Sequence, residues 1–386
     1  MRKRICVVTA TRAEYGLLKP FILKLKNNEQ FDVQVVVTGA HLSPAYGLTY
    51  KEIEEDNVVI NKKIEILLGS DTAVAVSKAM GLALIGFSEY FEENRPDILL
   101  ILGDRYEMLA VACAATNAGI PIAHLYGGET TEGALDESIR HAITKLSYLH
   151  FTSTIEYRNR VIQMGESPDR VFSVGAIGIE NVMCTELYSK SDLEEALNWK
   201  LDRSFAIVTY HPVTMESGMA VGQVNELLKA LDAFPEMKFI ITKANADSEG
   251  LSINKRIEDY AHNHANVKVC DSLGMKRYLS ALKYADMVIG NSSSGLIEVP
   301  SFLIPTINIG NRQKGRLQAE SVINCEAVCD CIVMAVNRAM SREFRERIRH
   351  VRNPYGDGDT SERVVGIIKK YLERENQNII KKFYNL

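Results

Sequence analysis

The sequence predicts an α/β protein of two Rossmann-like, doubly wound parallel-sheet domains with a central cleft, and three observations carry that expectation. Short Val/Ile/Leu runs alternate with longer amphipathic stretches through both halves of the chain, and near-continuous apolar strands joined by helical crossovers belong to parallel sheets covered on both faces. At 386 residues the chain exceeds one ordinary core, because domains usually run about 100 to 200 residues. The alternation breaks once, in the polar stretch from Glu180 to Arg203, which places a hinge there. The expected division is residues 1–180, residues 181–365 and a closing helix and tail over 366–386.

The first half opens with a strand over Ile5-Cys-Val-Val-Thr-Ala10, a helix from Leu17 and a strand over Val33 to Gly39. The apolar stretch Ala73 to Phe91 is interrupted by Ser77, Lys78 and Ser88, so it reads as a buried helix and not as a membrane span. A strand over Asp97 to Asp104, a helix over Glu107 to Gly119, a strand over Pro121 to Leu125, a helix over Asp136 to Ser147 and a strand over Val171 to Gly175 complete this half. The second half repeats the rhythm with strands at Phe205 to His211, Lys238 to Lys243, Val267 to Cys270, Met287 to Gly290 and Pro305 to Gly310. Helices through Glu258 and over Lys276 to Ala285 separate them. Asp359-Thr-Ser-Glu362 reads as the capping box of the closing helix, with Asp359 at the cap and Glu362 reaching back.

Composition narrows the function classes. A hydrophobic share of 46%, a charged share of 24% and a single Trp fit a globular protein. A net charge of −4 points to neither a nucleic acid nor a membrane partner. The basic N-terminus runs into an apolar stretch too short for a signal segment, so a cytoplasmic protein is expected. Seven cysteines show no CxxC pair. Cys325, Cys329 and Cys331 lack ligand spacing and a nearby His, so no metal site is expected.

Several loops carry chemistry-bearing residues. Gly290-Asn-Ser-Ser-Ser-Gly295 follows a strand and opens a helix, bringing backbone amides, the hydroxyls of Ser292, Ser293 and Ser294, and a helix N-terminus to one point where a diphosphate can be held. An ordinary Ser-rich turn is the plainer alternative. Glu298, one turn along, is placed to accept from ribose hydroxyls. The next loop, Gly310-Asn-Arg-Gln-Lys-Gly-Arg316, offers Arg312, Lys314 and Arg316 as anion contacts or as a solvated basic surface. His211 ends a strand at the carboxyl edge, as a ligand contact or a structural imidazole.

In the first half, Thr9-Ala-Thr-Arg-Ala-Glu-Tyr-Gly16 leaves the first strand without the GxGxxG or Walker spacing, which disfavours a nicotinamide cofactor and ATP. Arg12 and Glu14 lie in that loop, and Asp104 and Arg105 lie in Gly103-Asp-Arg-Tyr-Glu107 after a strongly apolar strand. The stretch from His124 to His141 packs Glu129, Glu132, Asp136 and Glu137 with two His and an Arg around a glycine turn. Asp136 reads equally as a carboxylate of a site or as a helix cap.

Thr11-Arg-Ala-Glu-Tyr-Gly, Gly103-Asp-Arg, Gly127-Gly-Glu, Asp136-Glu-Ser-Ile-Arg-His, His211-Pro-Val-Thr, Gly290-Asn-Ser-Ser-Ser-Gly and Gly310-Asn-Arg-Gln, in that order and over almost the whole chain, resemble the UDP-N-acetylglucosamine 2-epimerase family. The likeness is to its hydrolysing branch, the bacterial sialic-acid pathway type. It implies a GT-B architecture whose second domain holds UDP and whose C-terminal helix crosses back to the first. It implies Ser292 and Ser293 on phosphate, Glu298 on ribose and Arg312 on the nucleotide. Arg12, Arg105 and His211 would touch phosphate or sugar, His41 would face the sugar, and Asp104 and Asp136 would be the catalytic carboxylates. The family usually shows a glutamate two residues after the histidine, where this chain has Tyr126. Glu129, Glu132 or Tyr126 itself is left to take its place.

The reaction implied is conversion of UDP-N-acetylglucosamine and water to N-acetylmannosamine and UDP, by elimination of UDP and rehydration with inversion at carbon 2. No metal or nucleotide cofactor is implied, and a homo-oligomer, dimer or tetramer, is expected. A UDP-2,4-diacetamido-2,4,6-trideoxyglucose substrate is the near alternative. A GT-B glycosyltransferase and a catalytically silent UDP-sugar sensor are the distant ones.

Overall fold

Every strand pairing among the described residues is parallel, as the continuous apolar runs require. The computed structural model describes residues 2–70, 72–131, 135–212, 218–244, 250–374 and 379–386. The chain divides into two compact units: Met1–Thr130 with Leu135–Asn181 and Tyr355–Leu386, and Thr131–Ala134 with Val182–Pro354.

Unit 1 alternates β1 (Lys3–Thr9), α1 (Arg12–Lys26), β2 (Phe31–Thr38), α2 (Tyr50–Glu55), β3 (Ile60–Ile64), α3 (Ala73–Glu93), β4 (Ile98–Leu102), α4 (Tyr106–Asn117), β5 (Ile122–Leu125), α5 (Leu135–Leu146), β6 (Leu149–Thr152), α6 (Ile155–Gln163), β7 (Val171–Ser173) and α7 (Ile177–Cys184). Its seven strands are ordered β3-β2-β1-β4-β5-β6-β7. Alternate residues of β1 serve opposite layers: Ile5 and Val7 pack with Leu18, Phe21 and Ile22 of α1, whereas Cys6 and Val8 pack with Phe87 of α3 and Met108 of α4. The sequence reading lacked β3 and β6, which are short and carry polar residues.

Unit 2 continues with α8 (Lys190–Leu197), β8 (Phe205–Thr209), α9 (Ala220–Leu231), β9 (Lys238–Thr242), α10 (Gly250–His262), β10 (Val267–Cys270), α11 (Gly274–Tyr284), β11 (Met287–Gly290), α12 (Ser294–Ile297), β12 (Thr306–Ile309), β13 (Val322–Cys325), α13 (Cys329–Met340) and α14 (Arg342–Ile348). Its six strands are ordered β10-β9-β8-β11-β12-β13. Ala206 and Val208 of β8 pack with α9 and α13, while Phe205 and Ile207 pack with α8 and α11.

The chain rejoins unit 1 at Tyr355, and α15 (Thr360–Leu372) seats Val364, Ile368 and Leu372 in the core that α1 lines. Its N-terminus is not capped by its own box. Asp359 makes no side-chain cap bond, and Glu362 is exposed, 3.7 Å from Lys24. The buried Glu180 of α7 does the work instead, accepting the Ser361 amide at 2.7 Å and the Ser361 hydroxyl while pairing with Lys24 at 3.0 Å. A buried carboxylate at a helix N-terminus outcompetes a flanking Asp that water can solvate. At the tail, Lys381 donates to the Lys145 and Ser147 carbonyls at the end of α5 and lies 2.8 Å from Glu166.

α3 departs from the expected fully buried helix. Ala75, Ala79, Ala83, Phe87 and Phe91 are buried at helical spacing, but Val74 is 64% and Ile85 60% exposed. It is long and apolar enough to cross a membrane by length and composition, and about a third of it is buried in the protein.

Candidate active site

A doubly wound sheet opens at the carboxyl ends of the two strands where the order reverses, and ligands of α/β proteins bind there. The reversal lies between β1 and β4 in unit 1 and between β8 and β11 in unit 2. The loops leaving those four strands bear Arg12, Asp104, His211 and the Gly290 turn.

After β1, a reciprocal capping box fixes the start of α1. Glu14 Oε2 accepts the amides of Ala10 at 2.7 Å and Thr11 at 3.3 Å, and Thr11 Oγ1 accepts the Glu14 amide at 3.3 Å. Glu14 is thus used by its own backbone. Its second oxygen is buried without a hydrogen bond among the described residues, 3.9 Å from Arg105. Burial pushes its carboxyl up to about 7, against the Ala10 amide and Arg105. Arg12 pairs with Glu52 at 3.0 Å, both side chains being exposed, so a ligand anion can compete for it.

His41 follows β2 and is buried, its Nε2 3.0 Å from Thr9 Oγ1 and its Nδ1 2.8 Å from Thr49 Oγ1. Burial lowers its pKa to about 4, so the ring is neutral at pH 7. Both nitrogens face hydroxyls of the protein, which makes His41 a brace between the loops and leaves no free ring nitrogen for the sugar contact expected of it.

The centre of the unit 1 site is an ion pair that the sequence reading did not assign. Arg140, on α5 and only 2% exposed, donates from Nε to Asp104 Oδ2 at 3.0 Å and from Nη2 to the same oxygen. Its Nη1 donates to the Glu129 carbonyl at 2.7 Å and lies 3.4 Å from Glu137. Asp136 begins the same helix, and among the described residues no side chain is hydrogen-bonded to it. Its pKa is raised, first by partial burial and then by the Asp104 carboxylate, while Arg105 and Arg140 oppose the rise. Two neighbouring carboxylates, one gripped by a cation and one that holds its proton more tightly, are suited to different steps of a proton-transfer sequence.

Around them, His124 Nε2 donates to the Gly103 carbonyl at 2.7 Å and fixes the turn that bears Asp104. Arg105 is held by Glu107, with contacts of 2.9 and 3.2 Å. The turn after β5 is rigid: Gly128 has φ +77°, and a Cβ there would strike the Tyr157 carbonyl. Glu129 is buried and accepts from Ser153 at 2.7 Å. Glu132 lies outside the described residues, as do Val213 and Thr214 of the His211 motif.

In unit 2, Gly290 has φ +134°, and a Cβ there would collide with the Thr209 carbonyl at the end of β8. Asn291, fully buried, accepts the His211 amide at 2.7 Å and donates to the His211 carbonyl at 2.8 Å. Its own carbonyl accepts from Arg312 at 3.1 Å and from Gln313 at 2.8 Å. His211 is buried, and burial first and Arg312 second lower its pKa to about 4, so it meets a ligand as a neutral imidazole. Ser292, Ser293 and Ser294 are half-buried on the turn, Ser294 Oγ lying 2.7 Å from the Tyr278 hydroxyl.

The helix expected to follow is one turn, Ser294–Ile297, succeeded by a 3₁₀ segment Val299–Phe302. Its dipole is correspondingly small, and amides and hydroxyls carry the anion-binding capacity of the turn. Gly295 and Glu298 bracket that turn as expected. Arg140, Asn291 and Gln313 were missed because each acts through buried contacts distant in sequence. The only sequence signal for Arg140 was its presence in a dense charged stretch. Among the described residues no group of three or more His, Cys, Asp or Glu is arranged to hold a metal.

With this geometry in view, the comparisons are informative. The model of the family described as UDP-N-acetylglucosamine 2-epimerase matches residues 23–369. A Campylobacter jejuni protein named GDP/UDP-N,N'-diacetylbacillosamine 2-epimerase (hydrolyzing) is 44% identical over 346 residues, 89% of each chain. The Escherichia coli polysialic acid biosynthesis protein P7 is 38% identical over 385 residues, 100% of this chain and 98% of its own. The S. aureus MnaA–UDP co-structure shares the two-sheet GT-B-like fold, with a TM-score of 0.80 and 19% identity over 99% of this chain and 100% of that one.

Proposed function

Because the chain belongs to the UDP-N-acetylglucosamine 2-epimerase family, in its hydrolysing branch, we propose that Asp104 and Asp136 carry the proton transfers on the sugar while the Gly290 to Glu298 turn holds UDP. The observation that carries this reading is the buried Arg140 on Asp104 beside an Asp136 of raised pKa. One carboxylate takes the proton from carbon 2. The C–H electrons form the carbon 1–carbon 2 double bond as the carbon 1–oxygen bond breaks and UDP departs. Water then adds its oxygen to carbon 1, and carbon 2 receives a proton on the opposite face. Glu129 is a reserve acid–base group in the same turn. Ser292, Ser293, Arg312 and the amides from Gly290 to Gly295 take the diphosphate, and Glu298 takes the ribose. Arg12, Arg105 and neutral His211 complete the phosphate and sugar contacts.

For the sugar, the reading favoured is a UDP-N,N'-diacetylbacillosamine, the 2,4-diacetamido-2,4,6-trideoxy type, supported by the 44% identical Campylobacter relative. UDP-N-acetylglucosamine, giving N-acetylmannosamine for sialic acid, is the second reading, supported by the polysialic acid relative. Incubation with each UDP-sugar, followed by NMR, tests the assignment: UDP and the free 2-epimeric sugar should appear faster from the diacetamido substrate. Turnover of neither refutes the functional reading. Asp136→Asn should abolish turnover and leave UDP affinity intact.

The enzyme is proposed to be cytoplasmic and homo-oligomeric. The exposed Val74, Leu82 and Ile85 of α3 form an apolar face of the kind that a second copy covers. Light scattering of an Ile85→Glu protein should show dissociation, and an unchanged mass would exclude this face.

A further inference from the structure

Tyr126 has a geometry that none of the roles above uses. It follows β5 directly, its amide donates to the Phe151 carbonyl at 2.9 Å, and its φ is +68°. An aromatic residue adopts that left-handed conformation at a cost of about 1–2 kcal/mol. Its phenol oxygen accepts the amides of Ile177 at 2.9 Å and Gly178 at 3.4 Å. These are the first amides of α7, an eight-residue helix, and they have no partner within the helix itself.

α7 is fastened elsewhere as well. Glu180 binds Ser361 of α15 and Lys24 of α1, and Asn181 Nδ2 donates to the Gly16 carbonyl of α1 at 3.0 Å. α1 begins at Arg12. On the other side of Tyr126 the chain runs through the tight Gly127-Gly128 turn to the Glu129 carbonyl, which receives Arg140 at 2.7 Å. Tyr126 therefore joins a helix braced on α1 and α15 to the turn that orients the cation of Asp104.

We propose that Tyr126 is a positioning residue: its phenol oxygen, seated on the first amides of α7, sets the Gly127–Thr130 turn and, through the Glu129 carbonyl, the alignment of Arg140 with Asp104. The inference rests on the reading of Asp104 and Asp136 as the proton-transfer pair. On this account the hydroxyl serves as an acceptor, and the proton transfers remain with carboxylates.

Two replacements test it. Tyr126→Phe keeps the ring and removes the acceptor. Hydrogen exchange at Ile177 and Gly178 should accelerate, the Arg140 Nε–H resonance should move, and kcat should fall about tenfold, in keeping with the loss of one or two hydrogen bonds. KM and the pH profile should not change. Incorporation of 3,5-difluorotyrosine at position 126 keeps the acceptor but makes the phenol more acidic, and its pH profile should overlay that of the unsubstituted enzyme. Faster exchange with an unmoved Arg140 resonance or an unaltered kcat reduces the contact to a helix cap and overturns the proposal. A fall in kcat without faster exchange overturns it too, as does a pH limb that follows the phenol's acidity. If the unsubstituted protein turns over neither UDP-sugar, the functional reading fails, yet the exchange and the Arg140 resonance still decide this one because both are read without substrate.

Discussion

Replacing Arg140 by Met removes the cation at the centre of the unit 1 site and leaves a side chain of similar length. Four contacts vanish: two to Asp104, one to the Glu129 carbonyl and one to Glu137. Removing one partner of a buried ion pair typically costs about 3–5 kcal/mol, because the other charge is left uncompensated. Asp104 is 29% and Glu137 25% exposed at the side chain, so water relieves part of that penalty and the lower end, about 3 kcal/mol, is expected. For a unit of this size that lowers the melting midpoint by about 6–12 °C, measurable by calorimetry. The double substitution Arg140→Met with Asp104→Asn should recover part of the loss, since it leaves no stranded charge. Kinetically, Arg140 helps to hold down the Asp136 pKa, so its loss moves the acid limb of kcat/KM to higher pH. Full additivity of the two substitutions, or a limb that stays in place, would refute the ion-pair argument.

Three other outcomes follow from the buried charges. Burial pushes the Glu166 carboxyl up, but bonds from His150, Lys145 and Lys381 outweigh it and hold the pKa at about 2. A depressed carboxylate stabilises the fold above its unfolded value of about 4.3 and loses that contribution as pH falls toward 2, so Glu166→Gln should flatten the acid arm of an unfolding-versus-pH curve while lowering stability at pH 7. Glu14 has the opposite sign: its raised pKa of about 7 favours the protonated fold, so stability should decline as pH rises from about 4.5 through 7. Glu14→Gln should remove that decline in urea titrations at pH 5 and 8. Glu180→Ala strips the acceptor from the Ser361 amide and hydroxyl and should cost about 1–2 kcal/mol, seen first as faster hydrogen exchange in α15.

Continuous apolar strands such as Ile98-Leu-Leu-Ile-Leu102 made the parallel sheets legible, because only burial on both faces explains them. β3 and β13 were not legible. Both are edge strands, and Ile60-Asn-Lys-Lys-Ile64 leaves its middle residues exposed. β6 was hidden by His150, a polar residue fully buried because Glu166 meets it at 3.1 Å. The capping box at Asp359 had the right composition, but a carboxylate 181 positions away in the chain took its place. Asp104 and Asp136 stood at strand end and helix start, where sequence pattern points. The roles of Arg140 and Asn291 depend on tertiary contacts that no local pattern encodes.

The central claim is elimination and rehydration at carbon 2, and turnover of the UDP-sugar in D₂O tests it most directly. The account predicts one deuterium at carbon 2 of the released sugar, with UDP formed in equal amount and neither product formed by Asp136→Asn. Free sugar released with protium retained at carbon 2 would contradict it.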